Sequence, residues 1–342
     1  METMRRLLRD HAGHDASVVL GPGIGRDAAV VRLGQKLLVA KTDPVTLATE
    51  EIGWYAVQVN ANDVATTGAA PRWFMATILL PEGAASEGLV EEIFSQMEEA
   101  CLELGISLCG GHTEVTLGLK RPVVVGVMLG DLDPAALVRP DGAMPGDRIL
   151  LTKGIAIEGT AVLAREHTGL AGLLGADEMR RCRAFLKDPG IGVTVDATVA
   201  CEATKVHAMH DPTEGGVATA LHEMAEASGL GLRIEAEAIP VFPETRRVCD
   251  LLGLDPLGLL ASGALLLAVS PGDRDKVVRA LKGRGIAAAD IGEVTPAHEG
   301  VLLVRGGKAR PMPIFHQDEV ARALAAISPP VVKRSLEEGE PL

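Results

Sequence analysis

Apolar residues recur along this chain at two spacings, one typical of helices and the other typical of strands. Residues 86–104 show the helical spacing, because Leu89, Ile93, Met97 and Cys101 fall on one face of a helix. In total, 39 Gly and 20 Pro residues divide the sequence into short elements. The segment 86–104 is therefore predicted to be an amphipathic helix that buries one side.

The same pattern predicts α+β architecture in both halves of the chain. The predicted strands cover residues 27–31, 36–41, 72–80, 106–109, 123–129, 148–152, 231–235 and 264–269, and the predicted helices cover residues 1–16, 51–67, 86–104, 156–166, 189–204 and 217–227. The strand 123–129 is an almost continuous apolar run, which predicts that both of its faces are covered. Strands and helices alternate without the regular cadence of a barrel, so two α+β domains are expected.

A turn-rich segment at residues 139–147 marks the predicted domain boundary. The N-terminal domain is predicted over residues 1–140 and the C-terminal domain over residues 147–328. Residues 329–342 are predicted to form a polar tail.

Composition narrows the class of protein. The chain has a hydrophobic fraction of 47% but only five Phe, two Trp and one Tyr, so its core is predicted to be aliphatic. The formal net charge of −13 disfavours nucleic acid as a partner, because an acidic surface repels phosphate backbones. The five cysteines form no Cys-x-x-Cys pair and are predicted to be small buried residues. The longest apolar run is too short to span a bilayer and no signal-peptide pattern occurs, which predicts a cytoplasmic protein without membrane segments.

Four aspartates are the first candidates for chemistry. Asp27 follows a glycine loop, Asp43 ends a strand, Asp63 lies on the next helix and Asp211 precedes a Gly-Gly pair. Carboxylates bind Mg²⁺ together with phosphate oxygens, and glycine turns let backbone N–H groups approach phosphates. No Gly-x-x-x-x-Gly-Lys-[Ser/Thr] motif is present. Helix capping or turn roles for the individual aspartates remain the alternative to a Mg²⁺–nucleotide site.

Five short motifs occur in a fixed order along the chain. They are Gly-Pro-Gly-Ile-Gly-Arg-Asp-Ala-Ala-Val at residues 21–30, Lys-Thr-Asp at 41–43, Val-Asn-Ala-Asn-Asp-Val-Ala at 59–65, Gly-Gly-His-Thr-Glu-Val at 110–115 and Asp-Pro-Thr-Glu-Gly-Gly-Val at 211–217. This order resembles the aminoimidazole ribonucleotide (AIR) synthetase-like superfamily, which includes thiamine-monophosphate kinases, selenophosphate synthetases and HypE-type hydrogenase-maturation proteins. The first and last motifs resemble the HypE branch.

The resemblance implies a fold, a cofactor and site residues. It implies a two-domain α+β fold whose N-terminal sheets form a barrel at a homodimer interface, with ATP in the cleft between domains and Mg²⁺ held by aspartates. The implied metal ligands are Asp27, Asp43, Asp63 and Asp211. The predicted nucleotide-binding residues are Gly23, Gly25, Asp27, Lys41, Asp63, Gly110, Gly111, Thr113, Gly215 and Gly216. Lys41 is included for its place next to the predicted metal site, where it either contacts a phosphate or is a solvated residue at a strand end. Asp43, Asp211 and His112 are the catalytic candidates, and His112 is either a general base or a turn residue that bonds backbone.

The chain departs from the patterns of this superfamily at four places. Arg26 stands where an acid is common, and it either pairs with a phosphate or caps the loop. His112 replaces an Asp of kinase-like members, and Glu214 replaces an Arg of the HypE pattern. The printed sequence has no cysteine after Cys249, whereas HypE proteins end in one. The acceptor is therefore expected to be a free small molecule or a group on a partner.

The expected function is an ATP- and Mg²⁺-dependent, HypE-like activation of a substrate oxygen by phosphoryl transfer. The substrate is expected to be a small molecule or a group carried by a maturation partner, and the protein is expected to be a homodimer. The alternatives are a thiamine-monophosphate kinase-like enzyme and a nucleotide-binding maturation partner without turnover.

Overall fold

A computed structural model describes Leu7 and residues 15–46 and 50–327. Most of the predicted helix 1–16 and the predicted tail 329–342 lie outside the described residues. The helices are α1 (Ile52–Thr66), α2 (Glu87–Leu104), α3 (Ile157–Glu166), α4 (Ala176–Ala184), α5 (Thr194–Ala203), α6 (Gly216–Ser228), α7 (Pro243–Leu252), α8 (Arg274–Gly283) and α9 (Glu319–Ile327). Among the described residues, no helix is both long and apolar enough to cross a membrane.

The strands fall into two sheets, one in each half of the chain. They are β1 (Val18–Leu20), β2 (Ala29–Leu33), β3 (Lys36–Val45), β4 (Ala70–Pro81), β5 (Ser107–Thr116), β6 (Val123–Leu132), β7 (Arg148–Thr152), β8 (Ala208–His210), β9 (Gly231–Glu235), β10 (Leu266–Val269), β11 (Ala288–Thr295), β12 (Val301–Arg305) and β13 (Lys308–Pro311). The N-terminal sheet has the order β1-β2-β3-β6-β4-β5, and the C-terminal sheet has the order β13-β12-β9-β11-β7-β10-β8. The two-domain α+β prediction is confirmed at this level.

Helices cover only one face of the N-terminal sheet. Helix α1 packs on β3 and β6, and α2 packs on α1 and β5. Phe74, Met128 and Val39 are buried beneath them. The prediction that both faces of strand 123–129 are covered is wrong for the single chain, because only alternate residues of β6 are fully buried. The uncovered face of this open sheet is apolar and includes Met75 and Val127.

The two domains share packed residues. Ile157, Leu186 and Ile191 of the C-terminal half belong to the hydrophobic cluster of the N-terminal domain. The buried side chain of Asn62 on α1 donates from Nδ2 to the carbonyl oxygen of Ile191 and accepts at Oδ1 from the amide of Val193, both at 2.8 Å. Helix α1 is therefore fixed to the C-terminal domain by apolar packing and by two buried hydrogen bonds.

Two local predictions differ from the structure. The predicted short strand 106–109 and the turn at 110–114 are one continuous edge strand, β5, paired in parallel with β4. The predicted helix 189–204 begins only at Thr194, because Pro189 interrupts helical hydrogen bonding and Gly190 follows with a positive φ.

The prediction that the cysteines are buried is wrong for Cys109. Cys101, Cys182 and Cys249 are buried and Cys201 is half-buried, but Cys109 is exposed on β5 rather than at the end of a buried strand.

Candidate functional site

The glycine loop at residues 21–25 places Asp27 against the C-terminal domain. Gly25 has a φ of 65°, and a Cβ there would lie 2.9 Å from the carbonyl oxygen of Glu223 on α6. Only glycine allows this approach together with this φ. Arg26 folds back over the loop, with Nη1 donating to the carbonyl oxygen of Gly21 at 3.3 Å, and its side chain lies beside Gly23. The loop-capping interpretation of Arg26 fits this arrangement.

A buried histidine joins Asp27 to the C-terminal domain. Nδ1 of His210, at the end of β8, lies 2.9 Å from Oδ2 of Asp27, and its Nε2 lies 2.9 Å from Oε2 of Glu223. Burial alone would lower the pKa of His210, but these two carboxylates outweigh it and hold that pKa well above its usual value. His210 is therefore an imidazolium that donates a hydrogen bond to each domain.

Asp211 lies next to this pair and is almost fully buried. The ligand atoms of Asp27, His210 and Asp211 all lie within 4.8 Å of one another. Oδ1 of Asp211 is buried and has no hydrogen-bond partner. Burial, together with the charge of Asp27, raises the pKa of Asp211 to about 8. A buried carboxyl oxygen that lacks a hydrogen-bond partner and lies close to a second carboxylate is suited to binding a cation.

A second acidic group surrounds Lys41 on β3. Its Nζ lies 2.9 Å from Oδ2 of Asp63 and 3.6 Å from Oδ2 of Asp43. Asp63 is buried in the last turn of α1, and Asn60 on the same helix donates to the backbone carbonyl of Asp43 at 3.3 Å. Helix α1 thus places the Asp63 carboxylate beside Lys41 and holds the backbone of β3 at Asp43.

The pKa shifts show that the two acidic groups act on each other. Burial, together with the charge of Asp211, raises the pKa of Asp63 well above its usual value. Burial also raises the pKa of Asp43, against the opposing charge of Lys41. Although burial opposes it, the neighbouring carboxylates raise the pKa of Lys41. Lys41 therefore stays charged, and it is the cation that these aspartates share in the absence of ligands.

The donor set fits Mg²⁺. Asp27 and Asp211 supply hard oxygen ligands from the two domains, and Asp43 and Asp63 lie beside Lys41. The unpartnered Oδ1 of Asp211 is the observation that tests this fit. Repulsion between Asp63 and Asp211 would be relieved by a divalent cation. These four residues remain the predicted metal ligands.

Gly215 and Gly216 make the tight turn that begins α6. Both have positive φ values, 76° and 66°, and a Cβ at Gly216 would lie 2.4 Å from the carbonyl oxygen of Leu257. The amide of Gly215 already donates to Oδ2 of Asp318 at 2.7 Å. Their nucleotide-binding role stays a prediction, and their observed role is to place the loop beside Asp211.

The Gly-Gly-His-Thr segment is not brought to these carboxylates within one chain. Gly110, Gly111, His112 and Thr113 lie on the edge strand β5 and line a separate cavity beside α2. Nε2 of His112 lies 3.8 Å from Oε2 of Glu114, and the His112 side chain is 69% exposed. The expectation of a turn here is wrong, and the catalytic and nucleotide-binding roles of the segment stay predictions.

Sequence reasoning missed His210 and Glu223. His210 directly precedes the Asp211 motif, which is the one signal that pointed to it. Glu223 lies on α6, and only the position of this helix against the glycine loop reveals its partner.

Each half of the chain matches the sequence profile of a known protein domain. The profile of the AIR synthase related protein, N-terminal domain, matches residues 25–132, and that of its C-terminal domain matches residues 144–305. Carbamoyl dehydratase HypE of Rhizobium leguminosarum bv. viciae is 33% identical over 296 residues, which cover 83% of this chain and 77% of that protein. The chain belongs to the AIR synthase-related family. Carbamoyl dehydratase HypE of Escherichia coli is 31% identical over 288 residues, covering 82% of this chain and 81% of that protein.

Solved structures of this family share the fold. HypE in complex with ATP superposes with a TM-score of 0.70 at 25% identity, covering 93% of this chain and 91% of that one. HypE in a HypE–HypF complex superposes with a TM-score of 0.70 at 26% identity, covering 85% and 94% of the two chains. The ThiL protein AaThiL, complexed with AMPPCP and TMP, gives a TM-score of 0.70 at 21% identity over 90% and 92% of the chains, which shows likeness of fold alone.

Proposed function

We propose that this AIR synthase-related protein is an ATP- and Mg²⁺-dependent enzyme of the HypE type. In this proposal it activates an oxygen of its substrate by phosphoryl transfer. The observation that carries it is the meeting of half-buried Asp27 from the N-terminal domain and buried Asp211 from the C-terminal domain, with Asp211 lacking a hydrogen-bond partner at Oδ1. Its HypE relatives are named carbamoyl dehydratases, and one HypE structure contains ATP.

The chain's own residues divide the work of binding and positioning. Asp27, Asp43, Asp63 and Asp211 would hold Mg²⁺, which neutralises phosphate charge when it is bound. Lys41, already charged between two of these aspartates, would contact a phosphate oxygen. Asp43 and Asp211 are the catalytic candidates of this proposal, because a carboxylate beside the bound metal could orient an attacking oxygen.

Binding of ATP is expected to depend strictly on Mg²⁺. Bare phosphates would meet the negative charge of Asp27 and its neighbours, whereas Mg²⁺ screens both partners. Thermal unfolding should show ATP raising Tm with Mg²⁺ and leaving it unchanged with EDTA. Equal shifts under the two conditions would contradict the proposed site.

We further propose that two chains associate through the N-terminal sheets. The uncovered sheet face carries Trp73, Met75, Val127 and Leu129 as partly exposed apolar residues, and β5 leaves one edge unpaired among the described strands. An apolar face with a free edge is typical of an obligate interface. A second copy is also the remaining route by which the Gly-Gly-His-Thr segment of β5 would reach a nucleotide.

Light scattering at micromolar concentration is expected to give twice the chain mass of 35.7 kDa. Val127→Asp places a charge on the proposed interface and should shift the mass to that of one chain. Leu102→Asp is the matched control, since Leu102 is 74% exposed on the outer side of α2. A monomeric mass for the unaltered chain would refute the dimer.

The partner remains open between two chemical classes. The HypE–HypF structure supports a maturation partner protein, which in this proposal would carry the acceptor group. A free small molecule is the other acceptor.

A further inference from the structure

Two adjoining cavities lie in the C-terminal domain. The larger has a volume of about 660 Å³ and is lined by residues of α7, β12 and α9. The smaller has a volume of about 350 Å³ and is lined by residues of β12 and β13, and the two cavities share Asp255, Leu257 and Arg305. The described residues that line them fall between positions 236 and 322, and none is a candidate metal ligand of the carboxylate site.

Basic side chains line both cavities. Arg246 on α7, Arg305 at the end of β12 and Arg322 on α9 line the larger one. Arg305 also lines the smaller one, together with Lys308 and Arg310 on β13. Five basic and three acidic side chains thus meet here, in a chain whose formal net charge is −13. A local excess of positive charge attracts anions.

The three acidic side chains already have partners within the protein. Glu319 accepts from Nε of Arg322 at 3.1 Å, which compensates the charge of that arginine. Asp255 and Glu237 each accept from a backbone amide, at 2.9 Å and 3.1 Å. None of the three forms an ion pair with the other four basic residues of the cavities.

Those four basic residues keep their hydrogen-bond donors available. Among the described residues, no ion pair is formed by Arg246, Arg305, Lys308 or Arg310. All four side chains belong to exposed residues, so each can reach a ligand from solvent. A guanidinium presents a planar fork of N–H donors that matches the paired oxygens of a phosphate or a carboxylate.

The larger cavity also has apolar walls. Its lining includes Ile239, Val241, Leu254 and Leu257. Pockets of several hundred Å³ with apolar walls and a few charged groups are typical of sites for small organic molecules. An anionic group attached to an apolar body therefore fits this cavity better than an inorganic ion does.

We propose that the two cavities form a binding site for a small organic anion, with a phosphate or carboxylate group on an apolar body, and that Arg246 and Arg305 bind the anionic group. The site goes beyond the proposed function and does not depend on it, because it uses none of the residues that would hold Mg²⁺ and ATP. It gives the chain a second ligand, selected by negative charge.

The test uses the full-length chain in EDTA, without nucleotide and at low ionic strength, so that no metal ion can recruit an anion to the four aspartates. Isothermal titration calorimetry measures the binding of phenyl phosphate, isophthalate and benzamide, which each carry one benzene ring. We expect at least one of the two anions to bind about tenfold or more tightly than the uncharged benzamide, and its affinity to fall as KCl is raised to about 0.5 M. The tighter of the two anions identifies the group as phosphate or carboxylate.

Arg305→Gln removes the basic group that the two cavities share and should weaken anion binding by about tenfold, and Arg246→Gln should weaken it by about fivefold. Arg279→Gln is the matched control, because it removes the same charge at an exposed position of α8 that lines neither cavity. It should change the affinity less than twofold. Absence of binding of both anions at millimolar concentration would overturn the proposal, as would benzamide binding as tight as that of the anions. Equal losses in Arg305→Gln and Arg279→Gln would also overturn it.

Discussion

Asp211→Asn is expected to stabilise the unliganded protein at pH 8.5 and to abolish its stabilisation by Mg²⁺ and ATP. The buried carboxyl has a pKa of about 8, against 3.8 as the ordinary value. An amide removes the free energy needed to ionise this group in the folded state, which we place at about 2 kcal/mol or more. The same change deletes a proposed metal ligand. Asp211→Asn should therefore raise the stability of the unliganded protein while removing the additional stability that Mg²⁺ and ATP give.

The sign of the pH effect follows from the raised pKa. A carboxyl that binds its proton more tightly when folded contributes stability fully below its unfolded pKa, and this contribution is lost as pH rises through the folded pKa. Unliganded Tm should therefore fall between about pH 4 and pH 8 in the unaltered chain and fall less in Asp211→Asn. Asp250→Asn, an exposed change on α7, is the control and should leave the profile unchanged. A lower Tm for Asp211→Asn at pH 8.5 would contradict this assignment.

His210→Gln is expected to destabilise the fold by about 3 kcal/mol at neutral pH. The substitution removes the cation between Asp27 and Glu223 and leaves two carboxylates facing each other beside Asp211. Removing one partner of a buried ion pair typically costs about 3–5 kcal/mol. Because the folded pKa of His210 is raised, its contribution is present at low and neutral pH and is lost only as pH rises through that folded value.

Denaturant unfolding at pH 7 and at alkaline pH measures this effect. The difference between the unaltered chain and His210→Gln should shrink as pH increases. His222→Gln is the matched control. His222 is half-buried on α6, next to Glu223, and its ring makes one long hydrogen bond, 3.3 Å to the carbonyl oxygen of Met312. Equal losses for the two variants would mean that His210 acts only by packing.

The sequence predicts the general architecture well for a physical reason. In helix 86–104 and in strands such as 36–41, the spacing of apolar residues indicates the type of element. This spacing involves only residues near one another in the sequence, so it can be recognised without the structure. The site aspartates were also predictable, because each lies in a short motif whose order is itself informative. Asp27 and Asp211 lie close together where the two domains meet, Asp43 and Asp63 lie beside Lys41, and the metal-binding role of all four stays a prediction.

The features that could not be predicted from the sequence depend on contacts between segments that are far apart in the chain. His210 and Asp27 are separated by 183 positions, and their pairing exists only because Gly25 lets the loop lie on α6. Glycine pairs usually indicate a turn, yet Gly110 and Gly111 extend the edge strand β5, where pairing with β4 overrides local preference.

The central claim is that ATP and Mg²⁺ bind at the carboxylates where the two domains meet. A crystal structure of the full chain with Mg²⁺ and a non-hydrolysable ATP analogue tests it most directly. We expect Mg²⁺ at about 2.0–2.1 Å from oxygens of Asp211 and of at least one of Asp27, Asp43 and Asp63. A nucleotide bound elsewhere, or Mg²⁺ held by phosphates and water without any of these carboxylates, would contradict it.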